Sequence, residues 1–367
     1  MKVWVAGVGE IPCKQSYEGI DFREMLFQAA QNAYRDAGIS RSDIDGIVAS
    51  GFDFFEGISI TDSYTPDQVG GRLKFNTSVT NDSLNAFIHA CMLLKTGEFR
   101  TLAVSVFSKP SEIPNYAEVV LNSWDPHLVR PLLMHHGVAA GLDAQAFLNR
   151  VGGNLHDFSL VASKNHGNAL KNESAAYGMQ VSPYALDRSD LYAEPLREGH
   201  VARLCDYAAV VVLTNDSSLG KVLVKGFGFS SGLSTTDFSA REFGTASWVR
   251  PAVKQVEKMA DSLRFDFVEV SEPFASSELM FLDGLGVFRE PVVRLLRRGD
   301  FDSGCAVPVN SSGGCLGMGY PLNAAGLQRV VQAVKQLRQG GFRSCLVGSF
   351  DGEVVDGGAV VLLESEA

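Results

Sequence analysis

The sequence predicts an α/β protein made of two similar halves, with a loop subdomain set into the first. Three observations lead there. Strand-type apolar runs alternate with amphipathic stretches of helical period through short connections, which favours a largely parallel sheet covered by helices. The segment Gly97-Glu98-Phe99-Arg100-Thr101-Leu102-Ala103-Val104 returns as Gly340-Gly341-Phe342-Arg343-Ser344-Cys345-Leu346-Val347, at a constant offset of 243 residues. Between about residues 109 and 200 the alternation loosens into prolines, paired histidines and helical runs, as an insertion would. The halves are read as 1–219, with the insertion inside it, and 220–367.

Taken in order, Lys2–Val8 reads as a buried strand followed by a turn-rich segment to Gly19. Asp21–Ala37 carries Phe22, Met25, Ala29 and Ala33 at helical spacing and stops at Gly38. Ile47–Ala49 and Phe75–Val79 are strands. The second leads through Thr80-Asn81-Asp82-Ser83 into the helix Leu84–Lys95, ended by Gly97 before the strand Leu102–Val106. Ala139–Val151 and Leu155–Leu170 are helical runs of the insertion, and the β-branched run Ala208–Leu213 closes the first half. The second half repeats the scheme with strand Lys221–Gly228, helix Pro251–Leu263 and strands Asp266–Val270 and Cys305–Val309. Helix Leu327–Leu337 and strand Cys345–Val347 complete it.

The 367 residues are 46% hydrophobic and 20% charged, the make-up of an ordinary folded protein, and are ample for a large core. A formal charge of −10 argues against non-specific nucleic-acid binding. No apolar run approaches the roughly 18 residues of a membrane span, and the N-terminus opens on a strand pattern without a signal-peptide layout. Six scattered cysteines form no C-x-x-C pair, so neither a zinc ribbon nor a thioredoxin-type motif is present; no metal is expected, and reduced thiols in cytoplasm are.

The richest chemistry-bearing stretch is Asn310 to Gly326, N-S-S-G-G-C-L-G-M-G-Y-P-L-N-A-A-G, running into a helix. Glycines let backbone amides approach a ligand, and a helix N-terminus after such a loop suits an oxyanion or a phosphate. Other segments join it. Ser163-Lys164-Asn165-His166-Gly167-Asn168-Ala169-Leu170-Lys171-Asn172 with Tyr177-Gly178 resembles the K-N-x-x-N-A-x-x-N…Y-G segment of the thiolase superfamily, specifically sterol-carrier-protein-type thiolases and their thiolase-like relatives. Pro195-Leu196-Arg197 and Asp206-Tyr207-Ala208-Ala209 resemble its P-L-R…D-G-A-A entry, and Val309–Gly326 its N-x-S-G-G…G-H-P-x-G-A-T-G loop. The resemblance covers essentially the whole chain. It implies the thiolase fold: two duplicated α/β halves in a five-layer α-β-α-β-α body with an inserted loop subdomain. It also implies a coenzyme A thioester as substrate, with no cofactor bound by this chain, and an assembly at least dimeric, homodimer or thiolase-type heterodimer.

The chemistry departs from that family. A thiolase carries its acyl group on a thiolate, nucleophilic near neutral pH and a ready leaving group. Seventeen residues before Gly97, where the family keeps this cysteine, stands Thr80. Cys91 lies eleven residues further on, about 16 Å along a helix. The G-H-P histidine is Tyr320, and the N-E-A-F or H-D-x-F motif reads Ser271-Glu272-Pro273-Phe274; all seven histidines precede residue 201.

Candidate catalytic residues are therefore Tyr320, as acid/base or oxyanion donor, Glu272 as base, Ser271 as donor to a thioester carbonyl, and Thr80. Asp351 is held in reserve. Asn310, Gly313, Gly314 and Gly319 are candidates to support the thioester, and His135 and His136 lie where the family forms its acyl pocket. Three functions fit: carbon–carbon cleavage or formation in an acyl-CoA without an acyl-enzyme, of retro-aldol type; a catalytically silent subunit; or an acyltransferase with a non-standard nucleophile. Thiolase-like aldolases of the first kind act with a separate zinc-ribbon/OB-fold protein, which the resemblance implies as a partner.

Overall fold

The computed structural model describes residues 1–53, 60–122, 124–132, 137–232, 241–352 and 357–365. Its strands are β1 (Trp4–Lys14), β2 (Gly46–Ser50), β3 (Phe75–Val79), β4 (Thr101–Ser108), β5 (Leu191–Ala193), β6 (Leu196–Arg197), β7 (Asp206–Thr214), β8 (Val222–Ser231), β9 (Phe267–Val270), β10 (Ser344–Phe350) and β11 (Gly357–Ser365). β5 and β6 form a small ribbon, and the other nine make one sheet in the order β3-β2-β4-β7-β1-β8-β11-β10-β9.

The main helices are α1 (Phe22–Ala37), α2 (Ser83–Thr96), α3 (Val138–Val151), α4 (Leu155–Ala169), α5 (Val249–Ala260), α6 (Ala275–Leu285), α7 (Gly314–Met318) and α8 (Ala325–Gln339). Local chemistry sets their ends. The Asp21 carboxylate caps the first turn of α1, and Gly38 closes it in the left-handed conformation. Asp82 caps α2, and Gly97 closes it in the same way.

Side-chain alternation along the strands produces the layers. On β7, Ala208, Val210 and Val212 pack with Met25, Ala29 and Ala33 of α1. Ala209, Val211 and Leu213 turn the other way, toward Phe87 and Cys91 of α2 and Val330 and Val334 of α8. On β11, Val361 and Leu363 join that central core, whereas Val360 and Leu362 join Val253 and Val256 of α5. Helices α2 and α8 are thus enclosed between the two halves of the sheet, with α1 outside one half and α5 and α6 outside the other. This is the expected five-layer body.

Two expectations need correction. The sheet is mixed: β2 runs parallel to β3 and β4, and β9 to β10, while β4–β7, β7–β1, β1–β8, β8–β11 and β11–β10 are antiparallel. Strands buried on both faces read as continuous apolar runs in either direction, so composition does not encode direction. The strand placed at Cys305–Val309 is a single parallel bridge, Val309 to Val268. It sits against β9 where β3 sits against β2, and Pro308, which has no N–H to give a ladder, only accepts from Val268.

The duplication reaches individual atoms. Asp45 accepts from the backbone N–H groups of Arg100 and Thr101, and Asp266 from those of Arg343 and Ser344. Val3-Trp4-Val5-Ala6-Gly7-Val8-Gly9 and Val222-Leu223-Val224-Lys225-Gly226-Phe227-Gly228 share V-x-V-x-G-x-G. A Cβ on Gly9 would stand 2.2 Å from the Ala29 carbonyl of α1, and one on Gly228 2.1 Å from the Ala252 carbonyl of α5. Only glycine lets these outer helices lie so close to their strands.

Candidate active site

The C-terminal ends of β2, β3, β9 and β10 meet the N-termini of α2 and α8, the two enclosed helices. In open α/β sheets the ends of parallel strands are where ligands bind, and here polar residues collect. Asp82 accepts from Leu84 N in the first turn of α2 at 2.9 Å and from Gly326 N in the first turn of α8 at 3.0 Å, so one carboxyl ties both N-termini together. Ser83 Oγ accepts from Leu327 N at 2.9 Å. Burial pushes the Asp82 carboxyl up to about 8, with the nearby charge of Asp351 adding to it, while the bonds from Leu84, Ser349 and Gly326 pull down.

Asp351, just past β10, accepts from Asn85 Nδ2 at 2.7 Å. It too is raised by burial, against hydrogen bonds from Asn81 and Asn85. Ser50, at the end of β2, donates to the Asn81 carbonyl at 2.8 Å and accepts from Asn323 Nδ2 at 3.3 Å. The Asn323 side-chain oxygen is buried and has no partner among the described residues.

The sequence-selected residues fall into three places. Thr80 and Ser271 belong to this meeting point: Thr80 is exposed at the end of β3, and Ser271 is buried with its hydroxyl 2.8 Å from Ser349 Oγ, accepting from Phe350 N. Glu272, Asn310, Gly313, Gly314 and Gly319 lie behind it. Glu272 accepts from Asn165 Nδ2 at 2.9 Å, Asn310 Nδ2 at 3.1 Å and Leu316 N at 3.0 Å. The same two amides reach Glu278, which pairs with Lys164 at 3.1 Å. Burial first, then the Glu278 charge, pushes Glu272 well above the usual carboxylate range.

Asn310 adopts a left-handed backbone, φ 52°, and its side-chain oxygen accepts from Val270 N. The glycines make room for protein: a Cβ on Gly313 would meet Ala169, one on Gly314 the Glu272 carboxylate, and one on Gly319 the Cys205 sulfur. Protein groups fill the space on the Cβ side of these glycines. The K-N-x-x-N-A-x-x-N segment explains itself here, because Lys164, Asn165, Asn168 and Asn172 of α4 and its C-terminal turn hold the loop and its carboxylates.

Tyr320 is third. It is 5% exposed, within the apolar cluster of the second half. Its backbone is fixed on both sides, the N–H donating to Arg203 O at 2.8 Å and the carbonyl accepting from Cys205 N at 3.2 Å. Three residues on, Asn323 enters the polar meeting point. His135 and His136 lie outside the described residues.

Asp82 and Asn323 stand at neither the nucleophile nor a histidine position of the motifs. An aspartate before an apolar helix reads as an ordinary cap, and its bond to the second helix is invisible in sequence. Cys91, Cys205, Cys315 and Cys345 are buried, and burial pushes each thiol up. Among the described residues no cluster of His, Cys, Asp and Glu is arranged to hold a metal, and no helix is long and apolar enough to cross a membrane.

Comparison with known proteins agrees with this architecture. The family described as Thiolase C-terminal domain-like matches residues 230–345. An acetyl-CoA acetyltransferase of Methanothermobacter thermautotrophicus is 23% identical, over 92% of this chain and 91% of its own. Sterol carrier protein 2 of Bos taurus is 24% identical, over 92% of this chain and 66% of its own. Among solved structures, the Ltp2-ChsH2(DUF35) aldolase superposes with a TM-score of 0.85 at 18% identity, over 99% of this chain and 98% of that one. The chain thus has the thiolase fold, with a thiolase C-terminal domain-like segment in its second half, and is similar over most of its length to thiolases.

Proposed function

We propose that this protein cleaves a carbon–carbon bond in a β-hydroxyacyl-CoA by retro-aldol chemistry, without an acyl-enzyme. The observation that carries the reading is the N-terminus of α2. A covalent mechanism needs a thiolate there, and the residues present are Thr80, Asn81 and Asp82. A threonine hydroxyl needs a strong adjacent base to attack a thioester, whereas retro-aldol cleavage needs only proton transfer and support for a thioester enolate. The similarity to an aldolase of this fold supports the same choice. Tyr320 would give or take a proton or hydrogen-bond the enolate oxygen. The substrate is a coenzyme A thioester, and this chain binds no other cofactor. A homodimer or a thiolase-type heterodimer, joined by a separate zinc-ribbon/OB-fold protein and working in the cytoplasm, completes the proposal.

The test pairs two assays on the chain alone and with co-purified partners: cleavage of β-hydroxyacyl-CoA, and CoA-dependent thiolysis of β-ketoacyl-CoA. The first is expected to proceed and the second not. Tyr320→Phe is expected to lower cleavage by ~10²-fold or more; unchanged cleavage would sink its role.

One observation favours a second reading, a catalytically silent subunit. Ser271, Glu272 and Asn310 are buried and bonded within the protein. Failure of every acyl-CoA to bind, alone or with partners, would select that reading.

A further inference from the structure

Retro-aldol cleavage moves two protons, one off the β-hydroxyl and one onto the α-carbon, and a single phenol leaves one of those sites unassigned. Asp351 and Asp82 stand at the meeting of strand ends and helix N-termini. They differ in what surrounds them. Asp82 is enclosed, with Leu84 N and Gly326 N on its two oxygens and the Ser349 hydroxyl beside it. Asp351 is partly exposed, at the end of β10, oriented by Asn85 and Asn81 from the first turn of α2 and its approach.

A second, independent feature marks the same place as a ligand site. The Asn323 side-chain oxygen is buried, with the residue 1% exposed, and accepts from nothing among the described residues. Its amide nitrogen is anchored on Ser50, which is anchored on Asn81, the residue that also reaches Asp351. A buried acceptor without a protein donor is costly unless a ligand hydroxyl, an amide N–H or a water supplies one.

We propose that Asp351 is a catalytic base that takes the β-hydroxyl proton of the substrate, with Asn323 accepting a hydrogen bond from that substrate and Asp82 positioning and tuning the base. The inference rests on the retro-aldol reading and deepens it. In the step, the Asp351 carboxylate removes the hydroxyl proton as the oxygen's electron pair forms the carbonyl. The α–β carbon bond breaks, and its electron pair enters the thioester enolate. Tyr320 returns a proton to the α-carbon, and solvent carries the proton from Asp351 back to the phenolate. The β-hydroxyacyl-CoA divides into a carbonyl compound and a shorter acyl-CoA, with no oxidant, reductant or co-reactant.

Environment divides the labour between the two acids. The Asp351 charge helps to hold the proton on Asp82, which burial already favours. Among the described residues, the groups facing Asp351 are Asn81, Asn85 and Asp82, and those facing Asp82 are Ser349 and Asp351.

The experiment uses the full chain with its co-purified partners and a panel of 3-hydroxyacyl-CoA thioesters bearing secondary and tertiary alcohols. Asp351→Asn is expected to lower kcat by at least ~10²-fold with KM within about threefold. Asp82→Asn, which keeps a capping side chain and mimics the protonated acid, is expected to retain the fold by circular dichroism and to alter the alkaline rather than the acid limb of the pH–rate profile. Asn323→Ala is expected to raise KM. Wild type that cleaves while Asp351→Asn keeps kcat within threefold overturns this assignment and leaves the retro-aldol reading standing. Wild type that cleaves no member of the panel overturns both.

Discussion

At the residue scale, the buried carboxyls carry the sharpest consequences. Glu272 lies beside Glu278, whose cation is Lys164, and sits well above its ordinary range. The native state therefore keeps a proton that the unfolded chain gives up above about pH 4.3. Where the native state binds more protons, stability falls as pH rises, so this group weakens the fold from there until it ionises in the native state. Glu272→Gln removes the titration while keeping the shape. Its melting temperature is expected to fall less than that of wild type between pH 5 and 7.5, and equal slopes in thermal melts would count against a retained proton. Tyr320 and Glu272 were legible in sequence because motif matching points at positions. Their surroundings were not, because Asn165 and Asn310 reach Glu272 from positions 107 and 38 residues away.

At the element scale, two enclosed helices organise the molecule. Arg329 on α8 has no exposed surface, and its guanidinium lies 3.0 Å from the equally buried Glu269 of β9 and donates to Ser312 Oγ at 2.8 Å. A helix that buries Gln328, Arg329 and Gln332 tolerates them only with such partners. Arg329→Met strands the Glu269 charge, and a loss of about 3–5 kcal/mol is expected, read as a large drop in denaturation midpoint; a midpoint within 1 °C of wild type would show that the pair contributes little. The glycines of β1 and β8 test helix–strand spacing. Gly228→Ala places a methyl 2.1 Å from the Ala252 carbonyl, so a destabilisation of about 1–3 kcal/mol is expected from overpacking, and Gly9→Ala should match it across the duplication.

The elements themselves were largely legible. Helix α1 was read from Asp21, four apolar positions and Gly38, and β3 was read to the residue. The strand expected at Lys2–Val8 runs from Trp4 to Lys14, through Ile11 and a proline that composition reads as a turn. β11 went unassigned, although Val360 to Leu363 is an apolar run of strand type. That run lies beyond the repeat, which ends at Val347.

At the scale of the whole molecule, the duplication explains why the site lies where it does. Two halves with matched strands bring two equivalent helices, α2 and α8, into the centre with their N-termini together, and Asp82 joins those termini. The repeated octapeptide disclosed the duplication but not this convergence, because strand direction in the middle of the sheet is not written in composition. The V-x-V-x-G-x-G pair at Val3 and Val222 is a second sign of it in sequence, although the two copies differ in three of their seven residues.

The central claim is that this chain breaks a carbon–carbon bond without a covalent intermediate. The most direct measurement follows the products formed from a 3-hydroxyacyl-CoA by the chain with its partners, together with intact mass of the protein during turnover. Expected are a carbonyl compound and a shortened acyl-CoA in equal amounts, no consumption of free CoA and no mass increase on the protein. An acyl adduct on any residue, with CoA-dependent thiolysis of the 3-ketoacyl-CoA instead, would contradict it.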